Sequence, residues 1–178
     1  KKLILIDGNA LVHRAFHALP PLKAPNGMVS NAIFGFASIL IKTIKDLKPD
    51  YMAAAFDLAG PTFRHEEYKE YKAHREKAPD ELYAQEPIIK KLLRAFGVPI
   101  YEKKGFEADD LIGALSKKGA KEKEIQVIIL SGDLDTLQLV EDKKVMVYTL
   151  RKGMSDTVLY DDKMVKARYG GLNPAQMA

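Results

Sequence analysis

Residues 1–9 read KKLILIDGN: four apolar residues, Leu3 to Ile6, run unbroken and stop at Asp7-Gly8. An apolar run of this length, ended by a turn signal, fits a strand buried on both faces. The pattern recurs at Met52 to Phe56, which ends at Asp57, and at Val127 to Leu130, which ends at Ser131-Gly132-Asp133. The stretches between these runs change period. Ala10 to Ala18 reads as a short helix, and Ser30 can cap a helix to Leu47 with a wide apolar face. Further helices are expected at Asp80 to Phe96, with Gly97 as its C-terminal stop, at Glu107 to Lys118, and at Asp161 to Tyr169. Pro99 to Tyr101, Val145 to Tyr148 and Val158 to Tyr160 read as strands, and Thr136 to Val140 as a helical turn. Strands separated by helices define an α/β fold with a mostly parallel central sheet flanked by helices.

The 178 residues are enough for one domain with a real core, so 1–178 is read as a single unit. No apolar run approaches bilayer length, so no membrane partner is expected. The N-terminus enters a strand directly with no cleavage site, and there is no cysteine, which excludes disulfides and thiolate zinc sites. A cytoplasmic monomer is expected. The net charge of +4 is compatible with a nucleic-acid partner.

Asp7, Asp57 and Asp133 each follow a buried strand, and parallel strands deliver all three to one edge of the sheet. Asp135 lies two residues on, and Glu107, Asp109 and Asp110 open a helix toward the same crevice. Ligands of open α/β sheets sit at that carboxyl edge. Crowded carboxylates repel unless a counter-charge joins them, and a hard divalent cation, Mg²⁺ or Mn²⁺, suits oxygen donors. Each acid also has a plain structural reading. Asp7-Gly8 can be a turn, the acids at 107–110 can favour a helix N-terminus, and Asp133 and Asp135 can belong to a polar loop with Ser131. The coincidence of four segments favours a metal site.

From Pro61 to Pro79 apolar residues are scarce. Arg64, Tyr68, Tyr71, Lys72 and Arg75 fall at helical spacings, giving one cationic face with two rings, a surface suited to single-stranded nucleic acid. A solvated helix laced with ion pairs such as Glu66–Lys69 is the alternative. His13 and His17 are four apart with no third ligand and read as packing or surface residues; His65 and His74 could touch phosphate. Phosphate-loop and GxSxG patterns are absent.

The segments LILIDGNALVHRAFHAL, NAIFGFASILIK, AAFDLAGPTFRHEEYKEYKAHR, FEADDLIGAL, SGDLDTLQLV and KARYGGLNPAQMA occur in that order. Together they resemble the 5′-nuclease (5′–3′ exonuclease) domain of bacterial DNA polymerase I, related to flap endonucleases and to PIN-like nucleases. The resemblance implies a parallel sheet crossed by a charged helical arch, here 61–79, over the carboxyl edge. It implies metal binding, by two ions in the complete enzyme, at Asp7, Asp57, Glu107, Asp109, Asp110, Asp133 and Asp135. It also implies catalytic roles for Lys72 and Arg75, and DNA contacts for Arg14, Phe16, Arg64, Tyr68, Tyr71, Lys72 and Arg75. The implied substrate is DNA with a 5′ flap or 5′ end, cut during primer removal and repair, with a polymerase domain as a candidate neighbour in the parent chain. Two departures stand out. Leu134 replaces the lysine usual between the two aspartates of the GDxD motif, and the helix-turn-helix-like module with two further metal-binding aspartates is expected to be absent after Ala178. The alternatives are a DNA-binding module without catalysis, a PIN-type ribonuclease and a phosphohydrolase with Asp7 as nucleophile, although that last family wants DxD and the chain has Asp7-Gly8-Asn9.

Overall fold

The computed structural model describes residues 1–68, 70, 77–153 and 156–177, with the backbone alone at Glu66 and Lys152. In chain order the elements are β1 (Lys2–Asp7), α1 (Gly8–Ala18), α2 (Asn31–Leu47), β2 (Tyr51–Ala55), α3 (Phe63–Glu67) and α4 (Asp80–Ala95). They continue with β3 (Ile100–Tyr101), α5 (Ala108–Lys121), β4 (Gln126–Leu130), β5 (Val145–Lys152), β6 (Asp156–Tyr160) and α6 (Asp162–Arg168), with 3-10 turns at Leu134–Leu139 and Pro174–Gln176.

The sheet order is β3-β2-β1-β4-β5-β6. All neighbours are parallel except the terminal pair β5 and β6, which is antiparallel. The expected α/β architecture is therefore present. The central strands bury both faces. Ile4, Ile6, Ala54, Phe56, Ile128 and Leu130 pack with residues of α1, α2 and α4, while Leu5, Ala53, Ala55, Val127 and Ile129 pack with α5 and α6. Alternate residues of a strand point to opposite faces, so these runs carry no polar break. Each fully buried Leu or Ile side chain contributes about 1.5–3 kcal/mol, enough for two such layers to hold an acid-rich polar edge in place.

The chain moves from β1 outward to β2 and β3, then returns to place β4 on the other side of β1. The β1/β4 boundary is thus the topological switch point, where the crevice beyond the strand ends opens. Among the described residues no helix is long and apolar enough to cross a membrane.

Several boundaries differ from expectation for local reasons. α1 begins at Gly8, not Ala10, because Asp7 is its N-cap and accepts from Ala10 N at 3.1 Å. Ser30 precedes α2 but makes no capping bond; its hydroxyl donates to Leu22 O. Glu107 and Asp161 are N-caps rather than first helical residues. The expected single helical face through 64–75 breaks early: α3 ends at Glu67 and Tyr68 is extended, with φ −131° and ψ 98°. Tyr71, Lys72, His74, Arg75 and the Glu66–Lys69 pair lie outside the described residues or side chains.

Candidate metal centre at the carboxyl edge

Asp7 lies at the end of β1, only 3% exposed. One carboxylate oxygen caps α1, and the other accepts the Ser131 hydroxyl at 2.7 Å. Ser131 itself is fully buried, and its Oγ accepts from Asp133 N at 2.9 Å. A single hydroxyl therefore ties the end of β1 to the loop after β4, across the switch point. Asp133 in turn accepts from Asp135 N at 3.0 Å, which sets the start of the 3-10 turn. Asp57 follows β2. Its backbone N donates to Asn9 Oδ1 at 2.8 Å, and its carboxylate accepts from Ala108 N at 2.6 Å, at the start of α5. The helix N-termini of α1 and α5 thus aim partial positive charge at two of the acids.

Two glycines permit this closeness. A Cβ at Gly8 would overlap the Phe56 ring, and one at Gly132 would stand 2.9 Å from Ala10 O. The backbone of each acid-bearing turn can approach its neighbour only without a side chain.

Asp7, Asp57, Glu107, Asp109, Asp133 and Asp135 all line one cleft of about 1080 Å³. Burial pushes the Asp7 carboxyl up to about 6, and the negative charges of Asp109 and Asp57 add to the rise against hydrogen bonds from Ser131 and Ala10. The donors are hard oxygens, and the mutual repulsion calls for a cation. Among the described residues no three acids or histidines stand close enough to hold one ion between them. Mg²⁺ takes few carboxylates and keeps several waters, so the donor set fits such an ion.

Asp110 is placed differently from the other six acids. It does not line the cleft. Arg64 grips it in a fork, Nη1 to Oδ2 at 2.9 Å and Nη2 to Oδ1 at 2.8 Å, and Asp110 Oδ2 also accepts from Glu107 N. The step of about 100° between successive helical residues turns Asp110 away from Asp109, and the fork with Arg64 holds it there.

The expected DNA contacts are scattered. Arg14 lines the cleft but donates to Leu150 O and Arg151 O. Phe16 packs against the core instead, with its ring edge-on to His17. Arg64 is held by acids, and Tyr68 is 68% exposed outside the cleft. His13 and His17, read from the sequence as packing or surface residues, both line the cleft with their rings stacked 6.2 Å apart; Lys77, Tyr83 and Glu86 join them there. His65 completes a capping box with Thr62. The sequence reading placed Ser131 in a polar loop with Asp133 but missed its bond to Asp7, and it missed Asn9 as the partner of Asp57. Their signal was position alone, two residues after Asp7 and two before Asp133.

A family profile described as the 5′-3′ exonuclease, N-terminal resolvase-like domain matches residues 2–170. DNA polymerase I of Bacillus subtilis (strain 168) is 47% identical over 177 residues, covering 99% of this chain and 20% of the relative. The chain spans about a fifth of the length of the curated relatives it matches. In solved structures, the bacteriophage T5 5′-exonuclease with bound zinc superposes with a TM-score of 0.72 at 20% identity, over 99% of this chain and 64% of that one. The bacteriophage T5 flap endonuclease, in a pseudo-enzyme-product complex with DNA and metal ions, gives 0.73 at 16% identity, with the same coverage of 99% and 64%. These structural likenesses bear on the fold, whereas the profile and the sequence relatives bear on descent. The chain belongs to the 5′–3′ exonuclease N-terminal, resolvase-like domain family.

Proposed function

We propose that this chain is the hydrolytic unit of a divalent-metal-dependent 5′-nuclease, cutting phosphodiester bonds in DNA at 5′ flaps and 5′ ends during primer removal and repair. The observation that carries the reading is the convergence of six carboxylates from four separate segments on one cleft at the switch point. The family membership and the DNA and metal complexes of the T5 proteins support it. The same relatives support a polymerase domain in the parent chain.

Asp7, Asp57, Glu107, Asp109, Asp133 and Asp135 would hold Mg²⁺ or Mn²⁺, some directly and the rest through the ions' waters, as two ions in the complete enzyme. Such ions polarise a phosphate oxygen and lower the pKa of water. Ser131 and Asn9 keep the acids oriented by hydrogen bonds formed before any ligand arrives, which avoids reorganisation during reaction. Lys72 and Arg75 would neutralise charge developing on the phosphate, and Arg14, Tyr68 and Tyr71 would guide the strand; Phe16, packed against the core, is left out of that path. Asp7 is a poor candidate for a nucleophile, because it is buried and both its oxygens accept hydrogen bonds.

The test is incubation with end-labelled 5′-flap DNA in Mg²⁺, in Mn²⁺ and in EDTA, beside Asp109→Asn. Cleavage near the flap junction that needs metal and disappears in the variant is expected. Full cleavage by Asp109→Asn would sink the assignment, and preference for RNA would move the chain to the ribonuclease reading.

A further inference from the structure

Asp109 and Asp110 are neighbours in sequence, yet the fold gives them different surroundings. Asp109 faces the cleft. Asp110 faces Arg64, and both of its oxygens are taken by the guanidinium fork. Paired, planar hydrogen bonds of this kind are directional and strong for an ion pair. The same Asp110 oxygen that meets Arg64 Nη1 accepts from Glu107 N at 2.9 Å, and Arg64 Nη1 lies 3.6 Å from Glu107 Oε2. Glu107 is 8% exposed and lines the cleft. α3 is tied to the same place a second time, by Phe63 N donating to Gly105 O at 3.1 Å. The Arg64 guanidinium also lies over the Phe63 ring, 4.6 Å from its centroid.

We propose that Arg64 and Asp110 form a clamp that joins α3 to the first turn of α5 and orients Glu107 toward the cleft. Both are then positioning residues. Asp110 is not a direct metal ligand, and Arg64 acts through the acids rather than through DNA. The metal half of this inference rests on the nuclease reading above; the clamp itself does not.

A double-mutant cycle in the intact protein separates the roles. Arg64→Gln and Asp110→Asn should each weaken Mn²⁺ binding by about tenfold, the scale of losing a residue that orients a ligand. The double variant should bind no more weakly than the worse single, because both changes remove one interaction. Asp109→Asn combined with Arg64→Gln should instead multiply its losses. Arg64→Lys should not restore affinity, since an ammonium lacks the fork. Multiplying losses for Arg64→Gln with Asp110→Asn would overturn the proposal. Amide exchange at Phe63 and His65 provides a metal-free arm. Exchange should rise about tenfold in either single variant and no further in the double. Unchanged exchange overturns the clamp. A wild-type protein that binds no Mn²⁺ overturns the nuclease reading, and the exchange arm still decides the clamp.

Discussion

The two ends of the parallel strands are chemically opposite. At the amino edge, charges end on backbone partners. Lys144 Nζ donates to Glu122 O, Lys123 O and Ile125 O, Lys2 Nζ donates to Leu47 O, and Asp50 accepts from Lys2 N. Each such bond is a local gain of about 1 kcal/mol, and a little more where a charge is involved. At the carboxyl edge, six acids share one cleft, and burial with like charge raises Asp7 to about 6. One edge closes the fold, and the other stores electrostatic cost that a bound cation would relieve.

The largest expected effect falls on the cleft. Asp109→Asn should lower flap cleavage on the order of 10²–10³-fold, the scale of losing one electrostatic contact at a transition state. Its thermal midpoint should stay near wild type. A variant that unfolds instead would place Asp109 with the structural acids.

Asp7→Asn comes next and should separate stability from activity. In EDTA the folded chain holds the Asp7 proton up to about pH 6, whereas the unfolded chain releases it near 3.8. Stability therefore falls as pH rises between those values, and this group's penalty persists at neutral pH. Asp7→Asn should remove up to about 3 kcal/mol of that penalty, raising the urea midpoint at pH 7 while abolishing cleavage. A midpoint that drops at pH 7 would erase the contrast between the edges at this residue.

Ser131→Ala tests whether the acid edge is also held by neutral bonds. It leaves Asp133 N and one Asp7 oxygen without their hydroxyl partner, at a cost of roughly 1–3 kcal/mol. Both the denaturation midpoint and the cleavage rate should fall; an unaffected rate would show that Ser131 is structural only.

The smallest effect is expected at the opposite edge. Lys144→Met should cost about 1 kcal/mol, less than three bonds would suggest because water can replace the ammonium at the exposed Glu122 and Lys123 carbonyls. It should leave flap cleavage unchanged, because these partners lie at the edge opposite the acids. Impaired cleavage would couple two edges that the fold keeps apart.

Much of this could be read along the chain. Buried strands appear as unbroken apolar runs, so Leu3–Ile6, Met52–Phe56 and Val127–Leu130 announced the sheet, and the aspartate after each announced its edge. Boundaries slipped by one or two residues where a side chain caps a helix, as at Asp7 and Glu107, because a cap is fixed by a hydrogen bond and not by periodicity. The start of the charged segment departs from expectation for a related reason. Helical spacing from Arg64 onward suits a continuous face, but α3 ends after one turn, since too few apolar residues back it against a core.

Which acids face one another was beyond the linear pattern. Asp109 and Asp110 look alike in the sequence, and only the rotation of α5, set by Ile112 and Ala108 packing on the sheet, turns one to the cleft and the other to Arg64. Ser131 and Asn9 are ordinary polar residues until the parallel register of β1 with β2 and β4 brings each beside an acid about 50 or more positions away. Local order follows from hydrophobic period and turn chemistry, which neighbouring residues carry between them. The partners of a buried charge depend on strand register and helix rotation, and those emerge only when both faces of the sheet are packed.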